Sequence, residues 1–151
     1  MFLQSLTESV DCADCGAVAR WHGVHVLLDD DTLRWDTEVA CPECGAAMVV
    51  CGRRIPGEVR ERMLAAQGRA VLRLGASPVD RGAVLRALRK TLGLGLAEVK
   101  GVLEQVLGGE YGGTQPETEL LARRLRAAGV DAVADDRLSR PHDAEDTHDT
   151  R

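Results

Sequence analysis

DRGAVLRALRKTLGLGLAEVK, from Asp80 to Lys100, predicts two amphipathic helices folded back on each other through Gly93-Leu94-Gly95-Leu96. Val84, Leu88, Thr91 and Leu92 fall at i, i+4, i+7 and i+8, the spacing of one buried helical stripe. Arg81, Arg86 and Arg89 take the opposite side, with Leu85 among them. Gly93 follows the last periodic residue, where a left-handed cap is cheapest for glycine. Gly95 lets a second helix start close to the end of the first. Leu96, Val99, Val102, Leu103 and Val106 then repeat the helical period, with Lys100 turned outward. The glycines form no nucleotide loop, because neither Gly-Lys-Ser/Thr nor a third fingerprint glycine accompanies them.

Outward from this pair, the order reads β-α-α-(β)-α-β. Ala70–Leu74 is a strand ended by Gly75 and Pro78. Gly108, Gly109, Gly112 and Gly113 mark a loop, Pro116 opens a third long helix, Gly129 closes it, and 130–134 is a closing strand. Leu85, Arg86, Ala87, Leu88 and Arg89, then Gly93 to Leu96, Glu98 and Lys100, resemble the C-terminal domain of the bacterial ribosomal stalk protein, large-subunit protein seven/twelve. ELLARRLRAAG, Glu119 to Gly129, looks like that family's last helix. The resemblance runs from about Val71 to Val133, a little under half the chain. It implies an alpha+beta sandwich that recruits translational GTPases such as elongation factors Tu and G. Carried over by position, the contact residues are Arg81, Gly82, Leu85, Arg86, Arg89 and Lys100. Gly82 departs from the family, which has a branched apolar residue there, and the four glycines stand where the family has a middle strand. The residues themselves suit the same use: an exposed Leu85 ringed by Arg and Lys is an apolar anchor in a basic rim, fit for an acidic partner. The plainer alternative is that Leu85 widens the core stripe and the arginines are a solvated face.

Upstream, the stalk family's dimerisation region and Ala-rich hinge are absent. Two identical knuckles stand there instead, Cys12-Ala13-Asp14-Cys15-Gly16 and Cys41-Pro42-Glu43-Cys44-Gly45. Two thiolates two residues apart can reach one tetrahedral zinc from a tight turn, and the following Gly supplies a positive φ. The spacer 16–40 fits a long β-hairpin. Arg20–Leu28 is one strand, Asp29-Asp30-Asp31 the turn, and Leu33, Trp35, Thr37 and Val39 alternate with polar residues in the next. Ala46–Cys51 is a third short strand. The knuckles resemble a zinc ribbon, with one structural zinc on Cys12, Cys15, Cys41 and Cys44 and no open position for catalysis. Structural disulfides are disfavoured in a reducing compartment, and a redox dithiol needs only one Cys-x-x-Cys, opening a helix. Cys51 ends the apolar run AAMVVC and reads as a buried thiol. His22 and His25, three apart on a strand, point to opposite faces and do not share a metal. Trp21 and Trp35 read as hairpin packing rather than base stacking.

The whole is therefore expected to be α+β: a zinc ribbon over 1–55, a connector helix over 56–69, the stalk-like sandwich over 70–135, and a disordered tail over 136–151. Net charge is -5, which argues against bulk binding to nucleic acid or anionic membrane. The first 60 residues hold 5 Lys/Arg against 10 Asp/Glu, so RNA binding through the ribbon has little support. No apolar run approaches about 18 residues and no signal peptide precedes the knuckles, so a cytoplasmic location is the expectation. No nucleophile–base pair or phosphate loop suggests an enzyme. The expected partner is a protein with an acidic surface, a translational GTPase or the ribosome; the alternative is a non-ribosomal partner such as a toxin or stress enzyme.

Overall fold

Leu33, Trp35, Thr37 and Val39 alternate with polar residues, and in the computed structural model they belong to one antiparallel sheet. Its strands are β1 (Phe2–Asp11), β2 (Val18–Leu27), β3 (Leu33–Ala40) and β4 (Ala47–Gly52), paired in that order. The structure describes residues 1–76 and 78–136. Expected hairpin and third strand are present; β1 is an addition that the alternation did not betray, and it makes the ribbon four-stranded. It pairs with β2 along its whole length, from Phe2 opposite Leu27 to Asp11 opposite Val18. One face of the sheet is inward, carrying Ala19, Trp21, His25 and Leu27 of β2 and Trp35 and Thr37 of β3. The two tryptophan rings reach over glycines of the sheet, Trp21 over Gly23 and Trp35 over Gly52, where a Cβ would meet the ring. They pack the hairpin, as expected.

Helix α1 (Gly57–Gln67) starts after Pro56 and stops at Gly68, whose φ of 73° ends it. Its buried residues are Val59 and Met63, set against Trp21, with Leu6, Val10, Val39 and Ile55 around them. The connector thus covers part of the first sheet. The second sheet is small and antiparallel: β6 (Gly112–Gly113), β5 (Ala70–Leu74) and β7 (Ala132–Asp135), with β5 in the middle. The strand β6, expected between the second and third helices of this half, forms in spite of its glycines, and partly because of them. Gly112 lies so close to β5 that a Cβ would collide with the Ala70 carbonyl oxygen.

Helices α2 (Arg81–Leu92), α3 (Leu96–Leu107) and α4 (Gln115–Ala127) complete this half. Asp80 caps α2 by accepting from the Ala83 N–H at 3.1 Å, and Gly93 closes it at φ 65°. The core joins Val84 and Leu88 of α2, Val99, Leu103 and Val106 of α3, Leu121 and Leu125 of α4, and Leu72 and Ala132 of the sheet. The stripe read from sequence is therefore the buried one, with Thr91 and Leu92 at its half-buried end. The element order is the expected β-α-α-β-α-β, although β7 begins two residues later than the expected closing strand. Of the expected tail 136–151, residues 137–151 lie outside the described residues.

Helix α4 belongs to both halves. It packs on β5, β6 and β7 on one side and on β1 and β2 on the other. Its Arg123 donates to the Leu28 carbonyl at 3.1 Å and to Asp31 at 2.9 Å, and stacks over the Phe2 ring at 5.4 Å. Asp31 takes φ 61° in the hairpin turn, a conformation that Asp tolerates better than most residues. Arg123 thereby ties the hairpin tip to the second half.

Candidate metal centre and basic face

The first knuckle closes the turn from β1 to β2 and the second the turn from β3 to β4, so β2 and β3, paired from Arg20–Ala40 to Leu27–Leu33, bring the two together. Each knuckle repeats the same hydrogen bonds. Gly16 N–H donates to Cys12 O at 2.9 Å and Cys12 N–H to Ala17 O at 2.7 Å. Gly45 N–H donates to Cys41 O at 3.0 Å and Cys41 N–H to Ala46 O at 2.8 Å. Gly16 and Gly45 have φ of 75° and 74°, where a side chain would be strained.

The four sulfurs of Cys12, Cys15, Cys41 and Cys44 all lie within 4.8 Å of one another. Cys12 Sγ is 3.7 Å from Cys44 Sγ, and Cys15 Sγ is 3.6 Å from Cys41 Sγ. A tetrahedron with Zn–S bonds of about 2.3 Å has edges of about 3.8 Å. The spacing thus fits four thiolates around one zinc, and it is far longer than the roughly 2.05 Å of a disulfide. Cys12 and Cys41 are buried while Cys15 and Cys44 face solvent. The N–H groups of Cys15 and Asp14 hold the Cys12 thiol down at about 7. At Cys44 the Ala46 N–H works the same way. Desolvation and the crowding by Cys12, Cys15 and Cys41 outweigh it and push that thiol up to about 12. Four thiolates cannot share this space without a cation, so zinc binding expels protons from the cluster. Four sulfur ligands fill the coordination sphere, which makes this a structural tetra-cysteine zinc site.

Neither histidine joins it. His22 is half-buried on one face of β2 and His25 is buried on the other, as their spacing requires. His25 Nδ1 lies 3.0 Å from Thr114 Oγ1 at the head of α4, while Nε2 meets no partner among the described residues. Burial lowers the imidazole pKa, with the Glu117 carboxylate opposing and the Arg60 guanidinium assisting. Cys51 is exposed, which corrects the expectation of a buried thiol. The run AAMVVC is apolar, yet it forms an edge strand that no helix covers on either face among the described residues.

On the second half, Arg81, Arg86, Arg89 and Lys100 are exposed and Gly82 is half-buried at the first turn of α2. Arg81 is engaged, donating to Glu104 of α3 at 2.9 Å. Leu85 is half-buried and packs against the core, so it is not the free-standing anchor that its neighbours suggested. The freely exposed apolar residue here is Leu96, 55% accessible at the start of α3. Periodicity placed Leu96 on the buried stripe; as the first residue of the helix it projects past the core instead. Lys90 escaped notice because it falls between the two stripes. It lines a groove between α2 and α4 with Arg86, Arg124, Ala83, Ala87 and Ala127.

No helix is long and apolar enough to cross a membrane among the described residues. Compared with protein-family models, curated proteins and solved structures, the chain matches none, so its function has to be argued from these residues.

Proposed function

We propose that this protein is a zinc-stabilised adaptor whose stalk-like half binds an acidic protein surface through α2 and the start of α3. One observation carries the reading. Between residues 70 and 136, Arg73, Arg81, Arg123, Arg124 and Arg126 all have carboxylate partners. Arg86, Arg89, Lys90 and Lys100 have none among the described residues, and all four are exposed on α2 and α3. Cations without internal partners on one face attract an acidic partner and speed its approach. Leu96 and the outer edge of Leu85 add apolar area beside them.

The resemblance to the stalk domain points to a translational GTPase as that partner, and the ribbon then tethers the domain in place of the stalk's helical region. The test is titration calorimetry of the full chain against purified translational GTPases. Arg86→Glu with Arg89→Glu should weaken binding by about tenfold or more, chiefly by slowing association, and leave the melting temperature unchanged. Unaltered binding after the double reversal would remove this face from the function. Binding confined to a non-ribosomal acidic protein would keep the adaptor and discard the GTPase.

A further inference from the structure

The two edges of the first sheet are treated differently. The β1 edge is guarded. Apart from Leu3, its exposed positions are polar (Thr7, Ser9 and Asp11), α1 runs beside it, the Gln67 amide donates to the Ser5 carbonyl, and Arg62 pairs with Glu8. Among the described residues the β4 edge has no such cover. Ala47-Met48-Val49-Val50-Cys51-Gly52 pairs with β3 on one side only. Met48 is 62% and Val49 66% accessible, with Ala47, Val50 and Cys51 exposed as well. The strand holds no charge, no proline and no bulge, the devices that keep edges from pairing. Such an edge is a template for another strand, offering a row of backbone N–H and C=O groups.

We propose that β4 pairs antiparallel with β4 of a second copy of this chain, joining two four-stranded sheets into one of eight. Charge at the strand ends selects the occupant and its direction. At one end stand Glu43 and the tetra-cysteine zinc centre, where four thiolates outweigh the metal's two positive charges. At the other end stand Arg53 and Arg54, exposed and without an ion-pair partner among the described residues. Antiparallel pairing sets the basic end of each copy beside the acidic end of the other, twice. Parallel pairing would set arginines against arginines and one zinc centre against the other.

Symmetry narrows the register. A two-fold axis through an antiparallel pair requires one residue to face its own counterpart, and Val49 is the centre that keeps Ala47–Cys51 paired. Met48 then faces Val50 and Ala47 faces Cys51, so every cross-strand pair is uncharged. Arg54 comes level with Cys44 of the other copy, one residue from its Glu43. The assembly is closed, because the outer edges are the two guarded β1 strands.

The contact is small, so dimers should form in the micromolar range rather than below it. Sedimentation of the zinc-loaded full chain from about 1 to 300 μM should show monomer passing to dimer. Val49→Lys places like charges directly opposite and should weaken the dimer by about tenfold or more. Zinc content and helical circular dichroism should stay unchanged, since Val49 is 66% accessible and belongs to no buried cluster among the described residues. Val18→Lys, on an exposed site away from the edge, should leave the dimer intact. Ala47→Cys, oxidised mildly with zinc retained, should give a covalent dimer through Cys51. Wild type should not, because the two Cys51 residues lie about 13 Å apart along the strands. A wild type monomeric across the range, a dimer that survives Val49→Lys, or one that Val18→Lys also dissolves would overturn the proposal. So would a monomer whose β4 edge takes up an unrelated extended peptide instead of itself.

Discussion

Replacing His25 by Leu should leave the protein as stable or more stable at neutral pH and remove part of its sensitivity to acid. His25 is 1% exposed, wedged between the first sheet and the head of α4. Its hydrogen bond among the described residues, between Nδ1 and Thr114 Oγ1 at 3.0 Å, is worth about 0.5–1.5 kcal/mol. Against that, the orphaned Nε2 costs about 1–3 kcal/mol as a buried polar group without a partner. Leucine has a similar volume and neither term. The pH dependence has a definite sign. Burial depresses the folded-state pKa below the ordinary 6.5, so below pH 6.5 the unfolded chain binds a proton that the folded chain resists. Stability is full above 6.5 and is lost as pH falls towards the folded pKa. While the folded imidazole stays neutral, the loss between pH 7.5 and 5.5 reaches up to about 1.4 kcal/mol. Protonation of the zinc thiolates also weakens the fold in acid, but wild type and variant share that effect. The difference between their urea midpoints, measured at pH 7.5, 6.5 and 5.5 with zinc in excess, isolates His25. A difference that stays constant across the three values would show that the imidazole titrates alike in folded and unfolded chains, and the burial argument would fail.

Cys44→Ser should reduce bound zinc well below one per chain in metal analysis; full retention with an intact fold would dismiss the four-sulfur site. Gly112→Ala should cost about 1–3 kcal/mol in thermal or chemical unfolding, because the new Cβ strikes the Ala70 carbonyl rather than a side chain that can move. An unchanged melting temperature would mean that β6 does not hold its place beside β5.

The parts of this fold that could be read in the sequence are those whose pattern is local. Val84, Leu88 and Leu92 repeat within one helix, Gly16 and Gly45 mark turns that only their own knuckles need, and Pro116 stands in the first turn of α4, where a missing N–H costs nothing. The strand β1 was not legible for the opposite reason. Its inward positions include Gln4 and Glu8, which break an apolar alternation. Gln4 is there to accept from the Gln115 N–H at 3.0 Å, 111 residues away, and Glu8 faces Arg62 of α1. No window along the chain shows why a polar residue belongs there. Cys51 and Leu85 mark the same limit at the candidate surfaces. An apolar run looks alike whether it lies in a sheet's centre or at its edge, and a leucine among arginines does not reveal how far the core extends beneath it.

The capping box of α4 shows how far zinc should reach. Thr114 Oγ1 accepts from the Glu117 N–H at 3.3 Å, and Glu117 accepts from the Thr114 N–H at 3.1 Å. That same carboxylate takes Arg60 Nε of α1 at 2.9 Å and 3.0 Å, while Thr114 holds His25 of β2. One helix start therefore anchors an element of the first sheet, the connector and its own helix. The metal site lies at the other end of β2, where the knuckles hold Arg20 opposite Ala40. Removing zinc should free that end first, loosen β2 towards His25, and reach α4 at its first turn. The core of α2 and α3 rests on β5 and α4 and should keep its helices. Hydrogen exchange with and without chelator separates the alternatives. Protection should fall sharply at the knuckles, partly at 114–118, and little at Val84, Leu88, Val99 and Leu103. Loss of helical circular dichroism together with the metal would show a single cooperative unit instead. Undisturbed protection at 114–118 would show that the shared capping box carries nothing between the two sheets.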